Sequence, residues 1–236
     1  MKRRSVPARL ARWVAIAFLS AAAASVAVVA GFRWLPVPVT AFMIHEQIRA
    51  DRGGAAPSQQ HAWVPGPRIA RHAALAVIAA EDQKFFLHDG FDFGAIEKAV
   101  TDAQGGRRLR GASTISQQVA KNLFLWPGQS WLRKGLEAWF TMWIELLWPK
   151  QRILEVYLNS AQFGVGIWGV EAASRHYFGK EASRLRPQEA ALLAAVLPSP
   201  SRFRVSNPSA YIQQRQAWIL GQMQRLGRTD IVEELD

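Results

Sequence analysis

The sequence predicts an all-α protein carried on a single N-terminal membrane-spanning helix. Three observations lead there. A run of twenty uncharged residues, Trp13 to Phe32, is bracketed by Arg12 and Arg33, and as a helix it reaches about 30 Å, the thickness of a bilayer core. Beyond it, nearly every segment places apolar residues at helical spacing between cap and stop residues, with little of the alternation that marks strands. Of the 236 residues, 50% are hydrophobic and 20% charged, which supports a packed core and excludes a disordered chain.

Five basic residues and no acid precede the apolar run: Lys2, Arg3, Arg4, Arg9 and Arg12. By the positive-inside rule they hold residues 1–12 in the cytoplasm and send the downstream chain across the membrane. The run exceeds the ~7–15 apolar residues of a cleaved leader, so residues 13–34 read as an uncleaved signal anchor. The alternatives are a cleaved signal peptide, since A-x-A triplets occur late in the run, and a buried core helix. The V-P-V-P segment and the polar stretch Arg49 to His61 read as stalk and linker, 35–68. From Ile69 onward, residues 69–236 form the folded body. Its first helix is the Ala/Leu/Val/Ile-rich run to Ala80, and Asp92 caps a second that stops at Gly105-Gly106. Helical runs follow over Ser113 to Leu125, Leu132 to Trp148 and Gln151 to Leu158. Two more, Pro187 to Leu197 and Pro208 to Leu226, open on proline, the latter capped by Asn207 and stopped by Gly227.

With no cysteine anywhere, a disulfide scaffold, a thiolate zinc site and a cysteine nucleophile are excluded. The net charge of +11 and pI near 10.8 call for an anionic partner. Acidic lipid and a phosphorylated substrate fit an exported body. Nucleic acid does not, and no P-loop, H-E-x-x-H, G-x-S-x-G, zinc-finger or Rossmann pattern is present.

Chemistry concentrates in three places. Glu81 and Asp82 close the apolar run beside Phe85 and Phe86; they are either exposed acids at a loop entrance or a carboxyl poised by desolvation to accept a proton. His88 reads as a hydrogen-bonding histidine, since no second ligand has metal spacing. In GASTISQQVAKNLF, Ser113, Gln117 and Lys121 follow at i, i+4, flanked by Thr114 and Gln118, with Ile115, Val119 and Leu123 opposite. Such hydroxyls and amides bind sugar hydroxyls and phosphate oxygens, or a neighbouring segment. Arg133, Lys134 and Glu137 form an i, i+3 and i, i+4 ion cluster. It stands among five of the ten tryptophans; Trp139 and Trp143 are expected in the core, Trp126 and Trp131 on a membrane-facing apron.

These residues resemble the family 51 glycosyltransferases, the peptidoglycan polymerases, in their monofunctional biosynthetic form. Four motifs occur in the family's order: EDQKFFLHDGFD (Glu81 to Asp92), GASTISQQVAKNLFL (Gly111 to Leu125), RKGLE (Arg133 to Glu137) and KQRILEVYLN (Lys150 to Asn159). The stretch from Arg215 to Met223 is similar to the family's loosest signature. Ala112 stands where a second glycine is usual, and Ser116 where threonine is common. No S-x-x-K or K-T-G of a transpeptidase is present.

The resemblance implies a lysozyme-like helical glycosyltransferase domain that polymerises lipid II with inversion, forming a β-1,4 bond and releasing undecaprenyl diphosphate. Carried over by motif position, Glu81 is the base on the acceptor, with Asp82 supporting it. Glu137 belongs to the donor side, acting through Lys121, Arg133 and Lys134 or through a divalent ion, Mg²⁺ or Mn²⁺, that it helps hold. No tightly bound cofactor is implied. Ser113, Thr114, Gln117 and Gln118 hold the donor, while Glu155 and Asn159 are mainly structural. The implied setting is the bacterial inner membrane, single-pass, with the catalytic domain periplasmic and transpeptidases as partners. A lytic lysozyme-like enzyme and a non-enzymatic, membrane-anchored cell-wall protein are the alternatives.

Overall fold

The computed structural model describes residues 6–53, 59–104 and 113–227. Helix α1 (Val6–Phe32) contains one stretch, Arg9–Phe32, long and apolar enough to cross a membrane and largely exposed, which fits membrane anchoring. Its last turns dock onto α6 (Trp131–Leu147). There Trp139 donates from Nε1 to Ser25 Oγ (3.1 Å), and Trp148, just past α6, donates to the Val29 carbonyl (2.8 Å). Val29 is fully buried.

Segment 35–68, whose proline pairs and polar tract suggest a stalk, holds regular structure. Helix α2 (Ala41–Gly53) starts at buried Thr40, whose Oγ1 accepts from the Met43 amide, and packs against α5 (Ile115–Phe124). Strand β1 (Gln60–His61) runs parallel to β3 (Ile167–Trp168), which pairs antiparallel with β2 (Gln162–Gly164). So short a sheet lies below what alternation in a sequence can signal. It is pinned by Asn159, near the end of α7 (Lys150–Ser160): the side-chain amide accepts from Val64 N–H and donates to the Val64 carbonyl, both at 2.8 Å. Gly169, at φ +81°, lies where a Cβ would stand 2.7 Å from the Asn159 carbonyl, so no other residue fits.

The core is built around α3 (Arg71–Glu81), buried without interruption from Ala73 to Ala79. A helix buried all round has no polar face to display. Its alanines admit the equally Ala-rich α9 (Pro187–Val196) at close range, and α10 (Ala210–Leu226) closes the same side. Asp92 caps α4 (Phe93–Gln104) as expected, Oδ1 accepting from Ala95 N–H at 2.9 Å; the expected stop at Gly105-Gly106 lies outside the described residues. The cap of α10 is Ser209 rather than Asn207, its Oγ accepting from Ile212 N–H. Helix α8 (Val170–Phe178) is an addition to the helices expected from the sequence, though Gly179 in the left-handed region is an ordinary helix stop. Ten α-helices among the described residues make the protein all-α, with the small sheet as a supplement.

Candidate active site

Helix α3 delivers Glu81 as its last residue, and the chain then turns through a short 3-10 segment anchored by fully buried Phe85. Asp82, at the turn, is buried and directed inward. Its carboxylate accepts the Ile115 amide at 3.0 Å, at the positive end of α5, and His88 Nε2 at 3.0 and 3.1 Å. His88 Nδ1 in turn accepts from Gly90 N–H at 3.1 Å. A backbone amide can only donate, so the proton sits on Nε2 and the imidazole is neutral. Asp82 therefore fastens the first motif to the second, and the expected hydrogen-bonding role of His88 holds.

Glu81 is placed differently. One carboxylate oxygen accepts from Gln118 Nε2 at 3.0 Å, and the other lies 3.6 Å from Arg215 Nη2. Its side chain keeps 15% exposure. Burial raises its pKa above the ordinary glutamate value, against the Gln118 hydrogen bond and the Arg215 and Lys121 charges that lower it, with Asp82 adding a smaller upward push. The carboxyl therefore holds a proton more readily than an ordinary glutamate, and it keeps a path to solvent.

Helix α5 carries the second motif. Thr114 and Gln117 form a reciprocal capping box, and Thr114 Oγ1 also donates to the Gly90 carbonyl at 2.7 Å. Both are buried, so their polar groups hold the helix start rather than face the groove. Ser113 is exposed, just after the undescribed residues 105–112. The outward face consists of Gln118, Lys121 and Asn122, which with Phe42, Tyr157, Trp168 and the turn at Pro198 and Pro200 line a cavity of about 210 Å³. Ile115, Val119 and Leu123 are buried opposite, as expected.

Lys121 Nζ lies 5.6 Å from the Phe42 ring centre. Desolvation lowers its pKa; the Glu137 and Glu81 charges oppose that, and those of Arg133 and Lys134 add to it. One ammonium thus feels both acids and both remaining cations, so the two ends of the expected site are electrostatically joined across α5.

The third cluster opens α6, capped by Ser130. Arg133 Nη1 donates to Glu137 Oε2 at 2.7 Å, and Lys134 Nζ pairs with Oε1. Glu137 is 3% exposed, whereas the Lys134 side chain is about half exposed. With two cations on one carboxylate, the cluster carries a net positive charge. It fits an anion placed beyond the two cations. Arg133 Nε is buried with no partner among the described residues, a donor available to such an anion.

Sequence reasoning misses a buried ring that locks these motifs together. Glu145, on α6, accepts from Ser116 Oγ of α5 and pairs with Lys150 Nζ of α7 at 2.9 Å. Lys150 also donates to the His88 carbonyl and lies 4.7 Å from the Phe85 ring. The ring closes through Asp82 and Ile115. No local pattern marks Glu145, because Lys150 is five residues on, outside the i, i+3 and i, i+4 spacings, and Ser116 lies on another helix. Arg215, which opens the loosest of the motifs, is remote in sequence from Glu81. Trp131 is 93% and Trp126 44% exposed; Trp143 packs against the core as expected, whereas Trp139 is partly buried and bonded to Ser25 of α1, and the two rings meet edge-on at 5.6 Å.

Comparison with known proteins shows the family. The profile of the family described as Transglycosylase matches residues 49–224. A biosynthetic peptidoglycan transglycosylase of Pseudomonas entomophila is 52% identical over 227 residues, covering 96% of each chain. A protein of the same description from Xanthomonas campestris pv. campestris is 54% identical over 220 residues, 93% of this chain and 89% of the relative. The match begins at residue 49, inside α2, so part of the expected linker lies within the family's own boundary. With a family match across most of the sequence, the chain belongs to the transglycosylase family and is a glycosyltransferase.

Proposed function

We propose that this enzyme polymerises lipid II into peptidoglycan glycan strands, inverting the anomeric carbon and releasing undecaprenyl diphosphate. The observation that carries the reading is the α5 face on which Gln118, bonded to Glu81, and Lys121 line one cavity, with Lys121 feeling the charges of Glu137, Arg133, Glu81 and Lys134. The curated relatives' description supports the substrate class.

In this mechanism the acceptor 4-hydroxyl gives its proton to Glu81 as its oxygen attacks the donor anomeric carbon. The bond from that carbon to the phosphate oxygen breaks, and the departing diphosphate keeps the electron pair. Lys121, Arg133 and Lys134 stabilise the charge that develops there, in a site partly screened from water. Glu137 orients two of those cations rather than touching the diphosphate. Ser113 and Gln118 contact sugar or phosphate oxygens directly; Thr114 and Gln117 serve by fixing the α5 start; Asp82 fixes Glu81. No step runs through a metal.

The five basic residues before the apolar run of α1 set a single-pass topology in the bacterial inner membrane, with the catalytic domain in the periplasm. Both substrate and product are lipid-borne, so anchoring raises their effective concentration. The strands would be cross-linked by a separate transpeptidase. A lytic enzyme is the second reading, because a buried glutamate in a helical domain also suits hydrolysis. The cation cluster disfavours it, since glycan hydrolysis has no diphosphate to receive. Detergent-purified full chain incubated with labelled lipid II should yield a ladder of polymer that lysozyme degrades. Absence of polymer, or shortening of preformed glycan, overturns the proposal.

A further inference from the structure

Helix α10 carries a stripe that neither the core nor the reaction explains. Tyr211, Gln214, Arg215 and Trp218 line a shallow cavity of about 260 Å³. Their i, i+3, i+4, i+7 spacing puts them on one face. The helix is held by other residues, Ile212, Ile219, Gln222 and Met223, which are buried where it meets α3 and α9. Tyr211 remains 54% and Trp218 47% exposed. Anchoring does not account for these rings, because α1 leaves the domain from α6 and α7.

Arg215 connects the stripe to the base. Its Nη2 lies 3.6 Å from Glu81 and 3.4 Å from the Ala80 carbonyl, while its Nε is buried with no partner among the described residues. Gln118, leading to Lys121, occupies the other oxygen of Glu81. The two oxygens of Glu81 thus meet different helices, one at Gln118 of α5 and the other at Arg215 of α10. The ring of Phe203, 5.6 Å from that of Tyr211, braces the outer end.

We propose that the Tyr211–Gln214–Arg215–Trp218 face is a carbohydrate platform that receives the pyranose rings of the glycan at the Glu81 end of the groove. The aromatic faces pack on sugar C–H faces, and Gln214 and Arg215 hydrogen-bond hydroxyl and acetamido oxygens. Seven helical residues separate Tyr211 from Trp218, about 10 Å along the axis, the reach of two linked pyranoses. Two sources present this chemistry, the acceptor disaccharide and a strand already made. The inference rests on the glycan-polymerising reading above.

The test uses full-length protein in detergent, with Tyr211→Ala, Trp218→Ala and Trp218→Phe. Both rings are half exposed, so melting temperatures should match wild type. Calorimetric titration with a lipid-free tetrasaccharide of alternating N-acetylglucosamine and N-acetylmuramic acid reads the strand, and KM for lipid II reads the acceptor. We expect each alanine variant to weaken at least one of these about five- to tenfold, with Trp218→Phe close to wild type and kcat little changed. Whichever quantity moves identifies the source. Both alanine variants matching wild type in both measurements overturns the platform, even while polymer forms. If wild type makes no polymer yet binds the tetrasaccharide in a Trp218-dependent way, the catalytic reading fails and the platform stands.

Discussion

Glu81, at the end of α3, and Glu137, on α6, are both largely withdrawn from solvent, and their surroundings treat them in opposite ways. Around Glu137, Arg133 and Lys134 occupy both carboxylate oxygens. Around Glu81 there is one amide and one guanidinium at 3.6 Å, and burial prevails over both. The contrast separates a carboxylate spanned by two cations, which it can aim, from one whose burial raises its pKa above the ordinary glutamate value.

Glu81→Gln tests that contrast most severely. Polymer formation should fall about 10³-fold, within the usual contribution of a general base, while lipid II binding persists; near-normal turnover would refute the assignment. The same substitution should raise the melting temperature at neutral pH. The folded-state pKa of Glu81 lies above its unfolded value, so the folded protein binds the extra proton. Its stability contribution is complete below the unfolded value and is lost as pH rises through the folded one. A glutamine side chain does not titrate and so removes that loss, and a pH series of melts would register a flatter profile for the variant. Wild-type initial rates should fall with acidification along a limb above the ordinary glutamate range; a limb at the ordinary value would erase the difference between the two glutamates.

Glu137→Gln comes next. It leaves a buried guanidinium and a half-exposed ammonium without their carboxylate, and breaking a buried pair costs about 3–5 kcal/mol. Turnover should drop about 10²-fold and the melting temperature should fall, with neither restored by Mg²⁺ or Mn²⁺. Strong metal rescue would recast Glu137 as an ion ligand. The smallest effect is expected at Gly90, where φ is +86° and a Cβ would lie 2.8 Å from both Glu145 Cγ and Thr141 Cγ2. Gly90→Ala should cost about 1–3 kcal/mol and lower kcat several-fold by displacing the ring that fixes Asp82. Unchanged kcat would detach the ring from the base.

What the sequence made legible was local. The Ala/Leu/Val/Ile run predicted a helix that is buried throughout, and the Arg133, Lys134 and Glu137 spacing predicted an ion cluster that exists. Where two local demands competed for one residue, pattern reading could not decide. Thr114 and Gln117 have the chemistry to bind a sugar but complete a capping box instead. Segment 35–68 was opaque because α2 follows a proline-rich stretch and β1 gains its partners from a region about a hundred residues later. Arg215 and Glu145 act through folds of the chain that no spacing rule reaches.

The join between α1 and the domain has its own consequence. A helix ends with carbonyls that lack internal partners, and here Arg152 takes those of Phe32 and Leu35 while Trp148 takes that of Val29. Arg33 answers in the other direction, donating to the Leu147 carbonyl. The enzyme is thereby mounted rather than moored. A domain fixed in this way to its proposed membrane helix would keep one height and one bearing above the lipid surface, drifting as a whole to each new substrate.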